Sequence, residues 1–62
     1  MEKIYISYIA ERLQVKDWQV ENCVSLFDDG ATIPFISRYR KERTGGLDEL
    51  SVAEIRHWAD VF

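Results

Sequence analysis

Apolar residues recur along the chain at the spacing of an amphipathic helix in three separate stretches. In each stretch they occupy positions i, i+3, i+4 and i+7, which lie on one face of an α-helix. No stretch alternates apolar and polar residues at a period of two, so strands are not expected. The three sets are Ile6, Ile9, Ala10 and Leu13; Val20, Cys23, Val24 and Phe27; and Ile55, Trp58, Ala59 and Phe62. The pattern predicts an all-α fold, a small bundle of three to four helices.

Local residue choice predicts where the helices begin, near residues 2, 18, 33 and 52. Asp17 and Thr32 are placed to cap the second and third helices, because their side-chain oxygens can accept from free backbone N–H groups. Pro34 is tolerated in the first turn of the third helix, where N–H groups have no intrahelical partner. The fourth helix is expected to begin with a capping box from Ser51 to Glu54.

The helices are predicted to end near residues 13, 29, 43 and 62. Gly30 suits a left-handed residue after the second helix, and the pair Gly45 and Gly46 ends the third. About four residues, from Gln14 to Asp17, join the first two helices, which is compatible with a helix-turn-helix pair. The last helix has no stop signal before Phe62, so we expect one domain, residues 1–62, from the N-terminus of a larger multidomain protein.

Length and composition narrow the possible classes of protein. A chain of 62 residues forms one domain at most. With one cysteine and one histidine, neither an internal disulfide nor a metal-ligand set is predicted. The same cysteine count favours a reducing, cytoplasmic location. No apolar run approaches the roughly 18 residues of a membrane-spanning helix, so no membrane association is expected.

Positive charge is concentrated in one short stretch although the net charge is −3. Residues 32–46 carry four cations against a single carboxylate, Glu42, whereas the flanking segments are both acidic. We call the four cations the basic block: Arg38, Arg40, Lys41 and Arg43. On one continuous helix at 100° per residue, Phe35, Ile36 and Tyr39 would form a buried stripe that the cations flank.

Two interpretations of the basic block remain open on this pattern. In the first, its four cations contact phosphates of RNA or DNA, giving weak and salt-sensitive binding. In the second, they pair with carboxylates, including Glu42 four residues after Arg38, or dock against another domain of the same protein. An overall acidic chain argues mildly against a dedicated DNA-binding domain.

No catalytic constellation is visible in the sequence. His57 lacks a Ser, Cys or Asp arrangement that would make it a catalytic base, and Cys23 lies on an apolar helical face as a small hydrophobic residue. The aromatic residues could stack on bases, but at helical spacing they more often belong to a core. We therefore predict no enzyme activity, no cofactor and no small-molecule ligand.

The stretch "ATIPFISRYRKERTGGLDEL", from Ala31 to Leu50, resembles the N-terminal region of the Tex family of bacterial transcription accessory proteins. The family pattern is Gly-Ala-Thr-(Val/Ile)-Pro-Phe-Ile-x-Arg-Tyr-Arg-Lys-Glu followed by Thr-Gly-Gly-Leu, and Ser37 stands where Ala is common. The matching positions are Gly30 to Ile36, Arg38 to Glu42 and Thr44 to Leu47. Upstream similarity at Ile9, Ala10, Leu13, Val15, Gln19, Val20 and Leu26 extends the resemblance to nearly the whole chain.

The resemblance implies a helix-turn-helix-like N-terminal region of a large cytoplasmic protein. Members of the family go on to carry an RNase H-like domain, helix-hairpin-helix elements and a C-terminal OB-fold domain that binds RNA. None of those domains is expected within these 62 residues. The predicted function is therefore an N-terminal module that contributes to nucleic-acid binding through a basic third helix, with intramolecular docking or protein interaction as the alternative.

Overall fold

Five helices and no strand make up the computed structural model, which describes all residues from 1 to 62. They are α1 (Lys3–Leu13), α2 (Asp17–Asp28), α3 (Ile33–Tyr39), α4 (Lys41–Thr44) and α5 (Glu49–Val61). α1 packs against α2, and α5 packs across α2 and α3. The short α4 lies against α2. The prediction of an all-α small bundle is confirmed.

One core joins these elements, and helical periodicity placed eight of its residues inward but did not predict Leu26, Leu47 or Val52. Eleven apolar side chains are buried: Ile6, Ile9, Ala10, Val20, Cys23, Val24, Leu26, Ile36, Leu47, Val52 and Ile55. Leu13, Phe27 and Trp58 are partly buried against this core. Each large apolar side chain that is fully buried contributes about 1.5–3 kcal/mol relative to exposure. Phe62 departs from the prediction, because 47% of its surface remains exposed.

Helix starts follow the predicted chemistry at one of three positions. The Thr32 hydroxyl accepts from the Phe35 N–H, and Pro34 lies in the first turn of α3, as expected. The prediction for Asp17 is wrong, since α2 already includes it and its carboxylate accepts from the Ser7 hydroxyl at 2.8 Å. The prediction for Ser51 is also wrong, because Asp48 caps α5 and the helix begins at Glu49.

Helix ends follow the prediction more closely. After α2, Gly30 has φ +92°, and the N–H groups of Gly30 and Ala31 return to the carbonyls of Phe27 and Leu26. This is the Schellman arrangement, which satisfies carbonyls that lack intrahelical partners. α1 ends in the same way on Gln14, which has φ +57° without being glycine. Three residues, Gln14 to Lys16, then suffice to connect α1 and α2.

No helix is both long enough and apolar enough to cross a membrane.

Candidate nucleic-acid interface

The basic block lies across two helices rather than one. A single helix over residues 33–43 was predicted, but α3 ends at Tyr39 and Arg40 adopts φ −128°, ψ +33° before α4 begins. The helical angles differ from these by tens of degrees in both dihedrals, so the residues after Arg40 are rotated relative to α3. On one continuous helix, Arg43 would project almost in line with the apolar stripe. The break at Arg40 changes this direction, and Arg43 is exposed.

Side chains of α2 hold the end of the basic block in place. The Asn22 side-chain amide donates to the Arg43 carbonyl at 2.8 Å, and the Gln19 amide donates to the Thr44 carbonyl at 2.9 Å. Thr44 is fully buried, and its hydroxyl accepts from the Leu47 N–H at 3.3 Å. These contacts satisfy carbonyls at the C-terminal end of α4, where intrahelical donors run out. They anchor the backbone and leave the cationic side chains free.

The cations of the basic block form no ion pair, although, in addition to the hydrogen bond from Ser51, Lys41 lies close enough to Asp48 to help lower the pKa of that carboxyl. Arg38, Lys41 and Arg43 are exposed, whereas Arg40 is half-buried. The one ion pair in the molecule joins Arg56 and Asp60 on α5, with 3.3 Å between N and O. The predicted alternative of pairing with Glu42 is therefore not formed. Charge that is not neutralised within the chain remains available to an external anion.

Two aromatic rings accompany these cations at the surface. Phe35 is 38% exposed and Tyr39 is 63% exposed, so the predicted buried stripe is wrong for both and right only for Ile36. The physical reason is that α3 has only seven residues and packs mainly against α5, and in this packing Ile36 and Ser37 are the residues that become buried. The Phe35 and Tyr39 ring centroids are 5.6 Å apart. The Arg40 guanidinium carbon lies 4.8 Å from the Phe35 centroid.

An open groove runs beside this surface between the end of α2 and the basic block. It has a volume of about 520 Å³, within the roughly 300–1,000 Å³ of small-ligand sites. The residues that line it include Phe35, Arg40 and Arg43, together with Asp29 and Thr32. One ring and two cations, Phe35, Arg40 and Arg43, therefore line the groove together, and Tyr39 contacts the Phe35 ring, so phosphate contacts and stacking surfaces lie close to each other.

A second surface feature forms where the N-terminal part of α1 meets the C-terminal end of α5. We call it the aromatic cluster, and it consists of Tyr5, Tyr8, Trp58 and Phe62. The Tyr5 and Phe62 rings stack with centroids 4.5 Å apart, and Tyr8 meets the edge of Trp58 at 5.5 Å. Tyr8 remains 44% exposed. The Trp58 indole Nε1–H is buried without an acceptor, although most buried polar groups in native structures have a hydrogen-bond partner.

The remaining candidate residues lie away from both surfaces or inside the core. Cys23 is fully buried, as predicted, and burial raises the pKa of its thiol to about 12. His57 is exposed on α5 with its ring against Trp58. No three His, Cys, Asp or Glu side chains come together as metal ligands. The sequence offered no indication that Asn22 and Gln19 would hold the basic block, because their partners are more than twenty residues away.

The fold and this surface agree with a family assignment that covers almost the entire chain. The profile of the Tex-like protein N-terminal domain matches residues 3–61. The chain therefore belongs to the Tex-like N-terminal domain family, and the resemblance identified from the basic block and its flanking residues is confirmed. No solved structure matches the chain significantly.

Curated relatives carry the same domain within much longer proteins. The chain is 51% identical over 82% of its length to Protein tex of Bordetella pertussis, and 45% identical over 76% to the Transcriptional accessory protein Tex of Neisseria gonorrhoeae. It is 41% identical over 82% of its length to the human S1 RNA-binding domain-containing protein 1. The matched region spans 7%, 6% and 5% of those three proteins, respectively.

Proposed function

We propose that the chain is the N-terminal module of a Tex-like transcription accessory protein and that its basic block contributes to RNA or DNA binding. The observation that carries this proposal is that Arg38, Lys41 and Arg43 are exposed and unpaired. One relative is named a transcriptional accessory protein and another is named for an S1 RNA-binding domain. A role for the module close to nucleic acid is consistent with both names.

The binding of this module alone is expected to be weak. Neutralising four phosphates gives a slope of log affinity against log salt of at most about −3.6 on duplex DNA and about −2.8 on single strands. Such a module supplies position and part of the affinity, while other domains of the parent protein supply the rest. The proposal includes a cytoplasmic, non-catalytic role without a cofactor or small-molecule ligand, with α1 and α2 as the helix-turn-helix-like pair.

A matched pair of double variants tests the role of the basic block. Arg38→Gln with Lys41→Gln removes two exposed cations from the block, whereas Lys3→Gln with Lys16→Gln removes two exposed cations elsewhere. Both variants lower the net charge by two, so a difference between them reports position rather than total charge. The measurement is fluorescence anisotropy of labelled RNA and DNA over a range of salt concentrations.

The block variant is expected to bind more weakly and to reduce the magnitude of the salt slope by about 1.4 on single strands or about 1.8 on duplex. The control variant should follow the wild-type curve closely, apart from the small loss that any reduction in net positive potential causes. Equal binding by the two variants, or no binding by the wild type at low salt, would count against the proposal.

The aromatic cluster favours a second candidate function, docking against another domain of the same protein. It leaves apolar rings at the surface, with Tyr8 44% exposed and Phe62 47% exposed, and a neighbouring domain could cover them. On this proposal, amides of α1 exchange hydrogen more slowly in the full-length protein than in the 62-residue chain. Unchanged exchange in α1 would argue against docking at this face.

A further inference from the structure

The face that carries the basic block also carries the most exposed aromatic ring of the molecule. Tyr39 is 63% exposed, more than Trp18 at 49%, Phe62 at 47% or Tyr8 at 44%. Burying a ring in the core is ordinarily favourable, yet α3 turns Ile36 inward and leaves Tyr39 outside. The ring therefore lies on a surface where it contributes little to folding.

The two rings of α3 differ in what covers them. Phe35 has the Arg40 guanidinium over its ring at 4.8 Å and lies beside the groove. No cation lies over Tyr39, and its one ring neighbour is Phe35, tilted by 45°. Tyr39 thus offers an open π-face, and its neighbours along the chain, Arg38 and Arg40, are both cations.

An open ring among cations fits single strands better than duplexes. Bases of a single strand expose their faces and stack on aromatic side chains, while the backbone phosphates meet the nearby cations. In a duplex the base faces are covered by neighbouring base pairs, so only phosphate contacts would remain for this surface. Every base has a π-face, so such stacking tolerates sequence variation.

We infer that Tyr39 is a base-stacking platform and that the face formed with Arg38, Arg40 and Arg43 takes single-stranded nucleic acid in preference to duplex. The Phe35 ring and the Arg40 guanidinium above it extend this platform toward the groove. There Arg43 contacts the phosphate next to the stacked base. This inference rests on the proposed nucleic-acid role of the basic block and adds the class of strand and the residue that selects it.

The test compares two substitutions at the same position with one elsewhere. Tyr39→Leu removes the π-face and keeps an apolar side chain of good helix propensity, whereas Tyr39→Phe keeps the ring. Tyr8→Leu is the matched control in the aromatic cluster, distant along the chain from the basic block. Circular dichroism establishes that each variant remains helical. Anisotropy at low salt then measures binding to oligothymidylate, to oligouridylate and to a duplex of equal length.

Stacking of one base corresponds to a loss of about 5- to 150-fold when the ring is removed. Tyr39→Leu is therefore expected to weaken binding to both single strands by about five-fold or more and to leave duplex binding unchanged. Tyr39→Phe and Tyr8→Leu should bind as the wild type does. A loss confined to oligouridylate or to oligothymidylate would support the platform and assign it to RNA or to DNA.

Two results would overturn the inference, and they are distinguishable from failure of the proposed function. If Tyr39→Leu binds single strands like the wild type while Arg38→Gln with Lys41→Gln weakens binding, the surface is electrostatic only, and the proposed function stands without the platform. Tighter wild-type binding to duplex than to either single strand would likewise overturn the platform and leave the proposed function standing. If the wild type binds no oligonucleotide at low salt, both the inference and the proposed function fail.

Discussion

A single capping residue illustrates how side-chain chemistry sets the start of a helix. The cap of α5 was predicted at Ser51, which lies inside the helix, three residues after Asp48. Asp48 is the residue that caps, since its carboxylate accepts from the Ser51 N–H at 2.8 Å. This choice places Leu47 just before the cap and Val52 four residues after it, and both are buried in the core. The arrangement matches a hydrophobic staple, whereas Leu50, the residue before Ser51, is 79% exposed.

The same contact makes stability depend on pH in a defined direction. Hydrogen bonding from the Ser51 backbone N–H, followed by smaller effects that include Lys41, lowers the pKa of Asp48 below its ordinary 3.8. Because the folded-state pKa is depressed, the stabilisation is present above pH 3.8 and is lost as the pH falls through the folded-state pKa. Asp48→Asn should keep a cap but remove this component of the pH dependence. The measurement is urea unfolding from neutral pH to below 3.8.

Glu54→Gln is the control for the Asp48 variant, since it makes the same charge change at an exposed position of the same helix. It should leave the acid-side slope of the unfolding free energy close to that of the wild type. Identical profiles for the two variants would show that Asp48 does not act through its carboxylate.

At the scale of elements, the contact between α2 and the end of α4 orients the basic block. Gly45 follows α4 with φ +70°, and a Cβ there would come within 2.6 Å of the Gln19 Nε2 and 2.7 Å of the Trp18 ring. The Gln19 amide is the group that binds the Thr44 carbonyl. A side chain at Gly45 would therefore displace the donor that holds the block. Close approach of α2 and the chain after α4 therefore favours glycine at this point.

Gly45→Ala and Gly46→Ala separate this close approach from backbone strain. Both glycines have positive φ, but a Cβ added at Gly46 would meet no other atom within 4 Å. Each substitution should cost about 1–2 kcal/mol for the left-handed backbone. Gly45→Ala should cost about 1 kcal/mol more, because the Gln19 hydrogen bond is lost. Chemical denaturation measures the difference, and equal losses would remove the proposed role of the Gln19 contact.

At the scale of the whole molecule, one core connects nearly every element. The buried apolar residues come from α1, α2, α3 and α5 and from Leu47 in the loop before α5. A chain of this size buries a modest share of its surface and has no second core to support a partial structure. We therefore expect the helices to unfold together as one cooperative unit.

Cys23 provides a direct report of this cooperative unfolding. Its side chain is fully buried, and its thiol pKa of about 12 keeps the reactive thiolate scarce in the folded state. Reaction with a thiol reagent at mildly alkaline pH should be at least about a hundred-fold slower than in urea, since marginal domains still favour the folded state by a few kcal/mol. The measurement is the labelling rate as a function of urea concentration.

Ser25→Cys supplies an internal comparison for the Cys23 experiment, because residue 25 is exposed on the same helix. In this variant one thiol should react at once and the other only on unfolding. Rapid labelling of both thiols without denaturant would show that the core opens locally rather than cooperatively.

The helical class, the core faces of α1, α2 and α5, and the glycine that ends α2 all follow from local patterns of a few residues. Helical periodicity states which side of a helix is apolar, and a left-handed glycine at φ +92° needs no distant partner. The basic block and its family resemblance are likewise contiguous in the chain. For these features, neighbours in sequence carry the determining interactions.

The break at Arg40, the exposure of Phe35 and Tyr39, and the anchoring of the basic block by Asn22 depend instead on contacts between distant residues. Periodicity indicates an apolar face, but the packing of neighbouring helices decides how much of that face is covered, and in α3 it buries Ile36 but leaves Phe35 and Tyr39 exposed. Donors more than twenty residues upstream satisfy the last carbonyls of α4. Hydrogen bonds between such distant residues produce no periodic pattern in the sequence. The geometry of the candidate interface therefore depends on how the helices pack together.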